Sequence, residues 1–268
     1  MSVSRGPMTF TDSKERFSNR IADYLRYRPS YPAAVIDLVR GECGLRPGHE
    51  IADIGSGTGL LCELFLKNGN RVYGVEPNEA MRQAGEEYLA SFDGFTSVNG
   101  SAEATALDDA SVDFVASGQA FHWFEPNAAR REFARILKPG GWVVVIWNER
   151  LTDTTPFLRD YEVLLREFCT DYTRVTESYP RPEQMQNFYG ENAFREHDLP
   201  NAQDFDFDGV SGRLRSSSYS PAGDHPKFAP MMTALEEIFR KHEQDGRVRM
   251  EYLTRLYFGR LDARTDRA

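Results

Sequence analysis

Between Glu50 and Asn148 the hydrophobic positions switch repeatedly between two patterns, short apolar runs and runs at helical spacing. "EIADI" at the start is a strand, and Leu60, Leu61, Leu64 and Phe65 then fall on one helical face, closed by Gly69. "RVYGVE" is a second strand, ending at Glu76, and Pro77 with Asn78 opens the helix "PNEAMRQAGEEYLASF". The pattern repeats: a short strand near Phe95 to Val98, the acidic loop "GSAEATALDDAS", the strand "VDFVAS", the helix "EPNAARREFARILKPGG" and the strand "WVVVIWN". "VDFVAS" and "WVVVIW" are nearly continuous apolar runs, which predicts parallel strands covered on both faces. Alternating βα units of this length predict a doubly wound, Rossmann-like α/β fold.

After Asn148 the rhythm is lost. Residues 156 to 172 read as helix, "RPEQMQNFYG" as a short helix after Pro182, and "AQDFDFDG" alternates like a strand. In "PMMTALEEIFRKH", Met231, Leu235, Ile238 and Phe239 share a helical face, whereas "RVRMEYLTRLYF" alternates as a final strand. The expected architecture is a mostly parallel sheet with an antiparallel edge strand near the C-terminus and a helical cap. One domain over 1–268 is expected, with a cofactor-binding core at 33–148 and a cap and substrate region at 1–32 and 149–230.

Composition narrows the function. A net charge of -9 in 268 residues repels a phosphate polymer at long range, so nucleic acid is not the expected partner. No apolar run approaches membrane-span length and the N-terminus lacks a signal-peptide core, so no membrane partner and a cytoplasmic location are expected. Cys43, Cys62 and Cys169 lack metal-ligand or paired spacing, and with five histidines no metal site is expected. The chain is read as a monomer or homodimer.

The candidate chemistry begins at "DIGSGTG", residues 53–59, on a strand-to-helix turn. Its glycine spacing is neither that of a dinucleotide turn nor that of a phosphate-clamping loop. Glu76 follows at the end of the next strand, where a carboxylate commonly accepts hydrogen bonds from two adjacent ribose hydroxyls. An adenosine-type ligand is therefore indicated. "GSAEATAL" places Ser101, Ala102 and Glu103 in the loop after the third strand, within reach of an adenine, and "LKPGGWVVV" turns into the fifth strand.

Taken together, these segments resemble the class I S-adenosylmethionine-dependent methyltransferases over residues 48 to 148. The resemblance implies that Asp53, Gly55, Ser56 and Gly57 run beside the methionine part of the cofactor, that Glu76 holds the ribose, and that Ser101, Ala102 and Glu103 flank the adenine. S-adenosylmethionine has no pyrophosphate, so the turn must offer close backbone approach rather than an anion cradle. "FSNRIADYLRYRPSYP", "SGQAFHWFEP" and "SGRLRSSSYSP" resemble, more narrowly, type 11 methyltransferases related to trans-aconitate methyltransferases. That likeness implies a small acceptor, a carboxylate or hydroxyl.

"SGQAFHWF" lies at the carboxyl end of a strand, where ligands bind in open α/β sheets. Gln119 borders the cofactor in this reading, Trp123 faces the acceptor, and His122 is the candidate general base for a hydroxyl or thiol. Arg28 is placed at the cofactor carboxylate or a substrate carboxylate, and Arg213 and Tyr219 at the substrate. For His122 and Trp123, core packing is the competing role, and for Arg28 and Arg213 a solvated surface. Two other functions fit parts of the pattern: a cofactor-binding protein without transfer activity, and a nicotinamide-dependent oxidoreductase, which the glycine spacing disfavours.

Overall fold

In the computed structural model, which describes residues 26–173, 179–190 and 193–261, the two hydrophobic patterns become the two layers of an α/β fold. The N-terminal cap segment 1–25 lies outside the described residues. The core runs α1 (Ala34–Cys43), β1 (Glu50–Ile54), α2 (Leu60–Lys67), β2 (Arg71–Val75), α3 (Glu79–Tyr88), β3 (Phe95–Val98), β4 (Val112–Gly118), α4 (Pro126–Ile136) and β5 (Leu137–Arg150). It continues with α5 (Pro156–Phe168), α6 (Pro182–Tyr189), β6 (Phe194–Phe205), α7 (Phe207–Arg215), α8 (Phe228–His242) and β7 (Val248–Gly259). Local chemistry sets several starts: Asn78 caps α3 by accepting from Met81 N–H at 3.1 Å, and Thr155 precedes Pro156 at the head of α5 and accepts from Leu158 N–H.

The seven strands lie in the order β3-β2-β1-β4-β5-β7-β6. Only β7 is reversed, pairing antiparallel with β5 on one side and β6 on the other. The reversed strand predicted near the C-terminus therefore sits one place in from the margin. The outer position is taken by β6, part of the region expected to form a cap. Alternation along the strands explains the layers: Ile51, Phe114, Val144 and Ile146 face α1 and α2, whereas Ala52, Ile54, Val115, Val143 and Val145 face α4 and α6.

A further apolar cluster joins α5, α7 and α8 to β7 through Leu158, Tyr161, Leu165, Val210, Met231, Leu235 and Met250. Within it α7 is buried almost all round, and its end explains the serine run "RSSSYS". Ser216 and Ser217 donate to the carbonyl of Arg213 and Ser220 to that of Leu214, satisfying buried acceptors that the helix leaves open.

The described N-terminal residues, Tyr27 to Tyr31, cross the carboxyl ends of the strands as a strap. Asn148 Nδ2 donates to the carbonyls of Pro29 and Ser30, Asn201 to that of Ser30, and Gln203 to those of Tyr27 and Arg28. The Tyr27 ring lies against Gly212, where an added Cβ would fall 2.0 Å from its nearest ring carbon. Gly212→Ala is therefore expected to push the strap off α7 and lower stability by about 1–3 kcal/mol, read from urea unfolding. Unchanged stability would mean that the ring moves aside freely.

Candidate active site

The strand order reverses between β1 and β4, and the crevice outside their carboxyl ends holds a chamber in two connected parts. One part, about 690 Å³, is bounded by Gly55, Gly57, Glu76, Met81, Ala102 and Glu103 below and by Gln119, Ala120, Trp123 and Phe124 above. The other, about 450 Å³, lies under the strap between Arg28 and Tyr31 and the turn residues Asp53, Ser56 and Thr58. Gly55, Gly57, Gly118 and Gln119 belong to both.

The turn keeps its shape through main-chain contacts. Gly55 and Ser56 N–H groups donate to the carbonyl of Val75, and Gly55 has φ 70°, with its would-be Cβ 2.6 Å from that of Ala120. The glycine is thus required by the protein's own packing as well as by any ligand. Glu76, 9% exposed, accepts from Gly57 N–H at 2.9 Å and from Asn78 N–H at 2.8 Å. Its carboxylate ties the turn to the start of α3 while remaining in the chamber wall.

Asp53 lies deeper. Its Oδ2 accepts from the Cys62 thiol at 3.1 Å, its Oδ1 is buried without a partner, and burial pushes its pKa up to about 7, with the charge of Glu76 adding to the rise. Thr58 Oγ1 is likewise buried and unpartnered. Cys62, expected only to pack, also supplies this hydrogen bond.

A third cavity, about 670 Å³, opens beyond Gln119 and Arg28. Its wall includes Asn148, Arg150, Glu162, Tyr172, Tyr179, Arg213 and Tyr219. Gln119 borders all three spaces. The Gln119 amide is held by Asn148: its Oε1 accepts from Asn148 N–H at 2.7 Å and its Nε2 donates to the Asn148 carbonyl at 3.3 Å.

The structure sorts the candidate residues. Asp53, Gly55, Ser56, Gly57, Glu76, Ala102, Glu103, Gln119 and Arg28 all line the double chamber. Ser101 does not border any of the three cavities; its hydroxyl accepts from Glu103 N–H and shapes the loop instead. Trp123 faces the double chamber, not the third cavity, where Arg213 and Tyr219, the other two residues expected at the substrate, stand. Arg213, weighed against a solvated helix face, is buried.

For His122 the structure bears on the choice between base and packing. Its ring packs against Trp123 and edge-on to Trp147 with centroids 4.4 and 5.1 Å away, and its Nδ1 is buried without a partner. Burial pushes its pKa down to about 3. An imidazole so weakly basic has little drive to take a proton at neutral pH, and it borders none of the three cavities, so the geometry assigns His122 to packing. Sequence reasoning missed Arg150, Glu162, Tyr172 and Tyr179, which come from the region without periodicity. Arg150, two residues past the "VVVIWN" run, was the one with a positional signal, at the carboxyl end of a strand.

Among the described residues no cluster of His, Cys, Asp and Glu could hold a metal ion, and no helix is long and apolar enough to cross a membrane. The family profile described as "Methyltransferase domain" matches residues 52–145, which contain the turn, Glu76 and the residues after β4. An uncharacterized methyltransferase of Mycobacterium tuberculosis is 35% identical over 150 residues, covering 56% of this chain and 57% of its own length. One from Schizosaccharomyces pombe is 34% identical over 158 residues, 56% of this chain and 59% of its own. The chain therefore spans under three-fifths of these relatives.

Solved structures extend the likeness in fold alone. A candidate type II methyltransferase from Anaeromyxobacter dehalogenans superimposes with TM-score 0.64 at 22% identity, covering 87% of this chain and 98% of that one. A Haemonchus contortus phosphoethanolamine N-methyltransferase 2, solved with phosphomonomethylethanolamine and S-adenosylhomocysteine, has TM-score 0.57 at 14% identity, covering 94% of this chain and 59% of that one.

The shifted imidazole has a thermodynamic signature. The folded pKa of His122 lies below the unfolded value near 6.5, so the unfolded chain takes up the proton first and stability is lost as pH falls from about 6.5 towards 3. The slope is at most about 1.4 kcal/mol per pH unit. Asp53, raised towards 7, acts with the opposite sign as pH rises from about 4. His122→Phe should remove the first slope and leave the second, as measured by urea unfolding at several pH values. An unaltered acid limb would show that His122 is solvated in the folded chain.

Proposed function

We propose that the protein transfers a methyl group from S-adenosylmethionine to a small-molecule acceptor, a carboxylate or hydroxyl. The observation that supports this best is the continuity of two differently built spaces through Gln119: a double chamber with a ribose-type carboxylate and a glycine turn, and a cationic cavity beside it.

The chain's residues fit the cofactor. Glu76 stands where a vicinal diol would find two acceptors, Ala102 and Glu103 with Met81 offer a cleft for a flat base, and Asp53 and Thr58 present unpartnered buried oxygens under the strap. When bound, the sulfonium cofactor supplies an already activated methyl group. What remains for the protein is to hold both partners close and aligned and to exclude water, which can contribute on the order of 7–11 kcal/mol. Arg28 and the strap cover the double chamber, and the fixed Gln119 amide sets the boundary across which the acceptor is presented. A carboxylate acceptor is ionised at neutral pH and needs no base. With His122 assigned to packing, that acceptor is the simpler of the two. The narrower likeness to trans-aconitate methyltransferases rests on the short segments quoted above.

Calorimetry should show S-adenosylhomocysteine binding to the whole chain, weakened about tenfold to hundredfold by Glu76→Ala, the loss expected for hydrogen bonds to a charged group. Tight NAD binding with no affinity for S-adenosylhomocysteine would reverse the assignment to an oxidoreductase. Labelled methyl from the donor should appear in at least one member of a panel of small acids, phenols, amines and thiols. Cofactor binding without transfer to any of them favours the binding-protein function.

A further inference from the structure

One cation in the wall of the cavity beyond Gln119, Arg213, has no acid partner among the described residues. Arg213 is 5% exposed, its Nε donates to the Tyr252 hydroxyl at 3.3 Å and its NH1 to Ser217 Oγ at 2.9 Å. Both partners are neutral, and no carboxylate lies within ion-pair distance of Arg213 among the described residues. Arg150 and Arg166 are served differently, both pairing with Glu162 at 2.5 and 2.8 Å, while Tyr172 donates to the same carboxylate.

A guanidinium stays charged at any working pH, and an interior seldom keeps an isolated charge without a counter-ion. Arg213 cannot swing out to water by local adjustment. Its carbonyl is capped by Ser216 and Ser217, the preceding Gly212 is covered by Tyr27, and its helix is buried in the cluster of α5, α7 and α8. The side left open is the cavity. Tyr219 and Tyr179, on the same wall, make no hydrogen bond through their hydroxyls among the described residues, so both have a donor to give.

We infer that this corner is an oxyanion seat: Arg213 supplies the charge and Tyr219 a hydroxyl donor for a carboxylate or phosphate that the acceptor carries in addition to the atom it has methylated. This deepens the methyltransferase assignment and rests on it. Arg213 and Tyr219 border the third cavity and not the double chamber, so the group they hold is set back from the donor. An acceptor with a separate anionic group is then anchored at one end and presented at the other. Cationic amines and neutral alcohols without such a group leave the buried charge unmatched and are poor acceptors.

The test uses the full chain without donor. Melting temperature is followed against rising inorganic phosphate or succinate, with ionic strength held constant by chloride. The wild type should be stabilised saturably by one or both probes. Tyr219→Phe and Arg213→Gln should weaken the apparent affinity about tenfold to hundredfold, as expected on losing hydrogen bonds to a charged group. A response to phosphate alone assigns a phosphate ester and a response to succinate alone a carboxylic acid, and either supports the seat. No saturable effect in the wild type, or equal affinity in the folded variants, overturns it. Should Arg213→Gln not fold, Tyr219→Phe, which removes one hydroxyl, decides. S-adenosylhomocysteine affinity, measured in the same proteins, should not change. Anion binding with no affinity for S-adenosylhomocysteine would overturn the donor assignment and leave the seat standing.

Discussion

The connection between the three spaces depends on the backbone of one residue. Gln119 has φ 57°, in the left-handed region that residues other than glycine seldom enter, at a cost of order 1–3 kcal/mol. It is held there from two sides. Its N–H donates to Ile146, continuing the contact of β4 with β5, and its side-chain amide pairs with both main-chain groups of Asn148. Gly118 before it has no room for a side chain, since a Cβ would fall 2.3 Å from the Tyr31 hydroxyl. The chain therefore turns sharply at the end of β4, and the residue whose amide fixes the turn becomes a wall shared by the double chamber and the third cavity.

Asn148 carries the constraint onward. Its side chain accepts from Thr254 on β7 and Asn201 on β6 and donates to the strap carbonyls of Pro29 and Ser30. Gln203, two residues further along β6, accepts from the Tyr252 hydroxyl, which itself accepts from Arg213. The strap, the reversed strand and the buried arginine are thus joined by hydrogen bonds, the neutral ones contributing about 0.5–1.5 kcal/mol each when made, the one from the guanidinium more, and any of them costing more when one partner is left buried and unsatisfied. This gives β6 and β7 a purpose beyond extending the sheet. Their polar side chains at the carboxyl end of β5 form the platform on which the strap rests.

The first half of the chain was legible because there one physical demand dominates each position. Short continuous apolar runs bounded by turn signals read as strands buried on both faces, the glycines of "DIGSGTG" answer to close approach, and Glu76 stands at the end of the strand that follows the turn. Arg213 was legible as a residue but not as an environment. A helix reading "FDGVSGRLR" has the polarity of a surface element, and its burial depends on Tyr27, Tyr252 and three capping serines distant in sequence or hidden in a run of small residues. For His122 the sequence left base and packing both open, because proximity to the glycine turn and Glu76 does not set which way a ring points. Its ring packs against Trp123 and Trp147, and it borders none of the three cavities. Glu162 and Tyr172 gave no signal, because the order they impose on Arg150 exists only once α5 has packed.

The titratable groups that remain near the chambers favour chemistry by placement. Asp53 is kept largely from ionising until about neutral pH and is engaged by Cys62, Glu162 is held by two arginines and a tyrosine, and the pKa of His122 is far below the range in which an imidazole accepts protons effectively. None of these three is arranged to deprotonate an acceptor. The cavity next to them is instead arranged to attract charge, with fixed arginines whose orientation costs nothing further when an anion arrives. Under the proposed transfer, that field would bind and orient an acceptor by an anionic group of its own, set back from the reacting atom. That consistency between missing bases and surplus cations links the acceptor's charge to the fold, through the same short polar chain that holds Gln119 in its strained turn.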